Sequence, residues 1–166
     1  SILVGASGFY TAHETGMACR SYADGKLLWE RELAGLAGGG VLQGWLDAGR
    51  VYVWTGRGAA ALEANSGQVL WAARWDEAPG ADSAWLTQRH LLMTGVQPVM
   101  EEGAIRWELR AFWVDRETGR QVSAEGEPLE KCEAVPEVGV QDRVLIIRAG
   151  ATVTGWVNEA ESRPSG

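Results

Sequence analysis

The residue types that most often carry chemistry are few in this chain and widely spaced. His13 and His90 are its two histidines, one beside Glu14 and one beside Arg89. Two nitrogen ligands so far apart do not make a zinc site, which takes three or four protein ligands, and both are read as surface or turn residues. Cys19 and Cys132 form no Cys-x-x-Cys pair. They read as two small, partly buried thiols, with a single disulfide between them as the alternative. Asp47, Asp76, Asp82, Asp115 and Asp142 are scattered through turns, where a carboxylate bonds its own backbone, and lack calcium-loop spacing. Glu101-Glu102 reads as the solvated tip of a hairpin. No Gly-x-Gly-x-x-Gly loop opens a helix, and no serine sits in a nucleophile elbow. No catalytic, metal-binding or cofactor-binding residue is assigned.

What the sequence offers instead is mechanical. It holds nine tryptophans and 22 glycines. Trp29 follows Gly25 at the spacing at which Trp71 follows Gly67, and Gly119 repeats the turn with Ser123 where the tryptophan would stand. An indole is a large flat surface with one N–H that needs an acceptor when buried. Glycine supplies the positive φ that tight hairpin loops require.

The elements that must position these residues read as strands. Val51, Val53 and Thr55 alternate with Tyr52, Trp54 and Gly56, and Ala60, Leu62 and Ala64 continue after an Arg57-Gly58 turn. Asn65-Ser66-Gly67 turns the chain into a third strand that ends at Trp71. Upstream, residues 2–8 resemble 51–58, residues 9–23 read as one strand with a few extra residues at 13–16, and 26–33 as the outgoing strand. Residues 35–40 read as a flexible glycine-rich connector. Downstream, 83–87 and 91–95 are strands around a turn at 88–90. Residues 96–108 read as an inserted hairpin turning at Glu102-Gly103, 109–115 as the following strand, and 121–124 as the last of that unit. A fourth unit has a broken strand at 132–140 holding Pro136, an Asp142-Arg143 turn, an apolar strand at 144–148 and another at 152–157. No helix-length segment carries a 3.6-residue apolar period, so the chain reads as all-β.

Composition sets the outer bounds. With 166 residues, 46% of them hydrophobic, the chain is long enough for one domain with a core. A net charge of −7 weighs against nucleic acid or an anionic membrane as partner. No apolar run is long enough to span a membrane as a helix. The opening Ser1-Ile2-Leu3-Val4, with no initiator Met and no signal peptide, reads as a processed or truncated chain.

The turn-and-tryptophan unit repeats. Trp29 and Trp71 lie 42 residues apart, as do Gly25 and Gly67; Gly67 and Gly119 lie 52 apart, the excess matching the hairpin. A period of ~40–50 residues with four short strands marks β-propeller blades. At residues 61–71 (ALEANSGQVLW), 22–29 (YADGKLLW) and, without the tryptophan, 114–120 (VDRETGR), the chain resembles the pyrroloquinoline-quinone-like (PQQ-like) repeat family, also called quinoprotein alcohol dehydrogenase-like. The resemblance covers residues 1–157. It implies blades at about 1–35, 41–78, 83–127 and 132–157, with 158–166 a polar tail. It also implies that Trp29 and Trp71 dock between adjacent blades over the glycine turns at Gly25, Gly67 and Gly119. By strand count the first unit lacks its first strand and the fourth its last. Four blades make about half of a larger propeller, so a fragment, a ring closed by a second copy or another subunit, irregularly capped end blades, and a compact four-bladed ring all stay open.

Enzymes of the family hold a quinone and a calcium ion over the central channel with a catalytic Asp, calcium ligands and often adjacent cysteines. None of those positions can be matched here. The expected function is therefore a non-catalytic propeller, a protein-interaction scaffold or ligand-sensing module with no cofactor. The family includes an outer-membrane assembly lipoprotein and sensor domains of bacterial kinases, which implies a bacterial envelope role, periplasmic or extracytoplasmic. The alternative is a portion of a PQQ-dependent dehydrogenase whose cofactor residues lie outside this chain, with PQQ and calcium as cofactors.

Overall fold

A computed structural model of the chain describes residues 2–75, 83–122, 130–141 and 144–157. Among these the structure is almost wholly antiparallel β, in four sheets of three or four strands. The chain divides into two compact units, Ser1–Ala78 with Thr118–Arg120, and Pro79–Glu117 with Gln121–Gly166.

The first unit holds two four-stranded sheets. One is β1 (Ile2–Val4), β2 (Phe9–Ala12), β3 (Gly16–Arg20) and β4 (Leu27–Glu32); the other is β5 (Gln43–Asp47), β6 (Arg50–Trp54), β7 (Gly58–Glu63) and β8 (Val69–Arg74), each in chain order. The small residues of β7 are buried throughout, which lets the sheets approach closely. Between the sheets, Tyr10, Met17, Cys19 and Trp29 of the first pack on Val51, Val53, Ala60 and Leu62 of the second. Such a core forms only when sheets stack, because a lone four-stranded sheet cannot bury its faces.

Two features of this unit differ from the sequence reading. Residues 9–23 are two strands, because His13-Glu14-Thr15 turns the chain and Gly16 restarts it, with the His13 N–H donating to the Gly16 carbonyl oxygen (2.9 Å). The first sheet therefore has four strands, Ile2–Val4 being its first. The 35–40 connector is in part ordered as a single helical turn, α1 (Ala34–Ala37), ended by Gly38 at φ 79° and tied to the second sheet by the Thr55 hydroxyl, which donates to the Ala37 carbonyl oxygen.

In the second unit, β9 (Ser83–Leu86), β10 (His90–Glu101), β11 (Ala104–Asp115) and β12 (Glu130–Cys132) form one sheet in the order β12-β11-β10-β9, and β13 (Glu137–Gln141), β14 (Val144–Ala149) and β15 (Thr152–Val157) form a three-stranded sheet. Leu92, Leu109, Leu145 and Ile147 make the core between them. The expected inserted hairpin is instead a direct lengthening of the second and third strands: β10 and β11 pair without a break from His90↔Asp115 to Glu101↔Ala104. Cys132 belongs to the third sheet, paired with Trp107, where the sequence reading placed it at the start of the fourth unit. Gln121 bridges Val114 and the Val122 N–H donates to the Trp113 carbonyl oxygen (2.8 Å), while the rest of the strand expected at 121–124 lies outside the described residues, as do residues 76–82, the expected Asp142-Arg143 turn and the expected tail. Both cysteines are buried free thiols.

Candidate functional site

Four of the five residues singled out from the sequence meet in a repeated arrangement in the first unit, Trp29 with Gly67 and Trp71 with Gly119. Trp29, on β4, lies over the turn glycine of the next sheet: a Cβ built on Gly67 would stand 2.5 Å from Cδ2 and Cε3 of the indole. The Trp29 Nε1–H donates to the Ala64 carbonyl oxygen at 2.9 Å, which satisfies the one polar group of the buried ring. Arg31, two residues on, donates from Nε to the Gly67 carbonyl oxygen at 2.9 Å. The second copy is alike, with a Cβ on Gly119 falling 2.6 Å from Trp71 Cε3. Gly67 holds φ 67° and Gly119 φ 71°, so the backbone conformation and the overlying ring both exclude a side chain. Gly25 has the same turn at φ 69° but nothing within 4 Å of its Cβ position. Arg31 was not legible as a participant, since Ala73 stands two residues after Trp71 and breaks the pattern.

In the second unit the hairpin of β10 and β11 outruns its sheet. β9 pairs only with residues 91–94 of β10, and β12 only with residues 107–109 of β11. The last rungs are flanked by neither strand, and among them Met100 and Ile105 are direct cross-strand partners, 71% and 58% exposed. Glu101, Glu102 and Gly103 complete the tip, with Glu102 at φ 51° and Gly103 at φ 81°.

A polar row crosses the base of this hairpin. Gln97, Glu108 and Lys131 stand side by side on β10, β11 and β12. Glu108, with 12% of its side chain exposed, accepts from Arg110 NH2 (3.2 Å) and Gln97 Nε2 (3.3 Å), and Lys131 Nζ lies 3.8 Å away. Burial pushes the Glu108 carboxyl up, but the Arg110 and Gln97 hydrogen bonds and the charges of Arg110 and Lys131 outweigh it and hold the group below the usual range. Lys131 also bonds Glu101 at 2.8 Å, the main reason its ammonium is held above its ordinary value.

A cleft of about 520 Å³ lies at the other end of the same hairpin, lined by Arg89, His90, Asp115, Arg116 and neighbours. His90 is buried, correcting the expectation of a surface turn residue: it is the first residue of β10 and meets Trp113 edge-on at 5.9 Å. Arg116 is also buried and donates to the Thr87 and Gln88 carbonyl oxygens, while Asp115 accepts from the Glu117 N–H. These groups close the turns of the sheet. Among the described residues no three of His, Cys, Asp and Glu cluster to hold a metal ion.

No family model matches the sequence, and no curated protein matches it. Solved structures do. BamB from Moraxella catarrhalis is similar over 91% of this chain and 46% of its own length, at 20% identity and a TM-score of 0.52. A quinohemoprotein alcohol dehydrogenase from Pseudomonas putida HK5 is similar over 72% of this chain and 19% of its own, at 22% identity and a TM-score of 0.50. The chain thus spans less than half the length of either. At such identities the likeness shows the fold: the sheets match blades of a PQQ-like β-propeller, in part. No helix among the described residues is long and apolar enough to cross a membrane.

Proposed function

We propose that this chain is a non-catalytic β-propeller module that recognises a protein partner through the tip of the β10–β11 hairpin, with Trp29 and Trp71 as blade-docking residues and no resident cofactor. The observation that carries the reading is the exposed Met100–Ile105 pair on two strands that run past their sheet. Strand pairing by β9 and β12 stops at Thr94 and Trp107, short of the tip, and exposed apolar side chains grouped at such a tip mark a contact surface. Glu102 beside them favours a partner with a basic group next to an apolar patch. The similarity to BamB and to the quinohemoprotein is consistent with an extracytoplasmic location in a bacterial envelope.

The test is a photo-crosslinking residue at position 105, with the same residue at Lys26 as control, in cells that express the protein. The reading predicts one discrete protein adduct from position 105, none from position 26, and loss of the adduct on Met100→Glu in a chain that remains folded. No adduct from position 105, together with dye-linked alcohol oxidation by the complete protein when PQQ and calcium are added, would replace this reading with a dehydrogenase portion.

A further inference from the structure

The β10–β11 ribbon has two unlike faces. In an antiparallel pair, directly opposed residues share a face, and the faces alternate along each strand. Pro98 with Trp107 and Met100 with Ile105 therefore stand on the face that, further down, carries Leu92 and Leu109 onto Leu145 and Ile147 of the fourth sheet. The other face carries Gln97, Glu101, Arg106, Glu108 and Arg110. Its charges are matched within the sheet: Arg106 with Glu133 at 2.6 Å, Lys131 with Glu101 at 2.8 Å, and Arg110 with Glu108 at 3.2 Å. The apolar face is the one left to a partner, and it continues the packed interface between the two sheets outward to the exposed tip.

Pro98 decides how that ribbon can be met. The His90 carbonyl oxygen accepts from the Thr87 N–H, so the even-numbered residues of β10 aim their backbone groups toward β9. Past Thr94, where β9 stops, the row continues as Val96, Pro98 and Met100, and Pro98 has no N–H to give. A proline in this place blunts an edge against the addition of a further strand. What remains for contact is the side-chain face.

That face leads into a cleft. Cys132 of β12 is the direct partner of Trp107 and shares its face. Cys132 and Ala134 line one side of a cleft of about 440 Å³, and residues 149–152, at the β14–β15 turn, line the other. The side chains from these six positions are short, methyls with the Cys132 thiol and the Thr152 hydroxyl, and the turn around Gly150 brings peptide groups to the rim. Lys131 and Glu133 border the cleft but reach to Glu101 and Arg106 on the opposite face. Sites that bury a ligand-sized group hold roughly 300–1,000 Å³. A floor of short groups under a polar rim suits an aromatic side chain with one polar atom, the kind of anchor that dominates protein interfaces. We propose that a partner protein covers the Pro98–Met100–Ile105–Trp107 face with an apolar segment, sets a basic group against Glu102 at the tip, and sinks a tryptophan or tyrosine side chain into this cleft. The proposal rests on the hairpin reading of function and names the partner's anchor and its seat.

The probe is N-acetyl-tryptophan amide, titrated into the full isotope-labelled chain and followed by NMR. The proposal predicts saturable shifts in the amides of residues 132–134 and 149–152, with a dissociation constant of about 1 mM. Ala151→Trp and Ala134→Trp fill the cleft from its two sides, and each should weaken binding by roughly tenfold or more while keeping the thermal midpoint of the unaltered chain. Val99→Trp, on the opposite face, should change nothing. In cells, both filling variants should also lose the protein adduct formed from position 105. Either of two results overturns the proposal: residues 132–134 and 149–152 that do not respond to the probe, or a position-105 adduct that survives both filling variants. In both cases the hairpin reading stands as long as the adduct forms. Its absence from the unaltered chain removes that reading and this proposal with it. Phosphatidylcholine vesicles that bind the unaltered chain but not Met100→Glu, with no response to the amide, would put a lipid surface in the partner's place and overturn it too.

Discussion

At the scale of single residues, the molecule turns on one contrast: three glycines share a turn, and two of them lie under indoles. Gly67→Ala places a methyl both in the left-handed region, at about 1–2 kcal/mol, and against the Trp29 ring. Gly25→Ala incurs only the first cost. Chemical denaturation should therefore find Gly67→Ala the more destabilising of the two, and equal losses would contradict the seat. Trp29→Ala removes a buried aromatic with its hydrogen bond to Ala64, and should cost about 3–5 kcal/mol in the same measurement. Cys19 gives a check on the core. Its thiol is buried against Tyr10, and burial raises it above its ordinary value, so alkylation in native buffer should be slow and become fast only on unfolding. Rapid native labelling would mean that the first two sheets are not stacked as described. The glycines and tryptophans were legible because their spacing repeats. His90 was not, because a polar residue opening a strand looks the same in sequence whether the turn before it is solvated or, as here, folded back by Arg116.

At the scale of elements, the β10–β11 hairpin was half legible. Glu102-Gly103 announces its turn, and the structure puts the turn there. Its continuity was hidden, since Pro98 and the run of charges from Glu101 to Arg110 obscure the two-residue period that marks a strand. The same charges make the hairpin sensitive to acid. The Glu108 carboxyl is held below its unfolded value of about 4.3. The folded state therefore binds the proton less readily than the unfolded one. Its contribution to stability is fully present above pH ~4.3 and is lost as pH falls through the depressed folded value. Amide exchange at residues 107–109 and 130–132 should accelerate in that acid window, and Glu108→Gln should flatten the pH dependence. An unaltered profile in Glu108→Gln would remove the Gln97–Glu108–Lys131 row from the account. The one-turn helix α1 was illegible for a plainer reason: four residues carry no period, and its anchor, Thr55, lies in the turn after β6.

At the scale of the whole molecule, the sequence announced four sheets because each ends its repeat with a glycine turn or an apolar hairpin. The strand count of the first unit was misjudged because Ile2–Val4 is a three-residue strand and the turn at 13–15 lacks the glycine-centred signal of the other hairpins. The unifying claim is that the tryptophan closing one repeat seats on the turn glycine of the next. Proton NMR of the 166-residue chain tests it most directly, since an indole face held against a glycine displaces its Hα resonances upfield. The account predicts strongly upfield Hα signals for Gly67 and Gly119 and ordinary ones for Gly25. Gly67 and Gly119 resonating like Gly25 would contradict it.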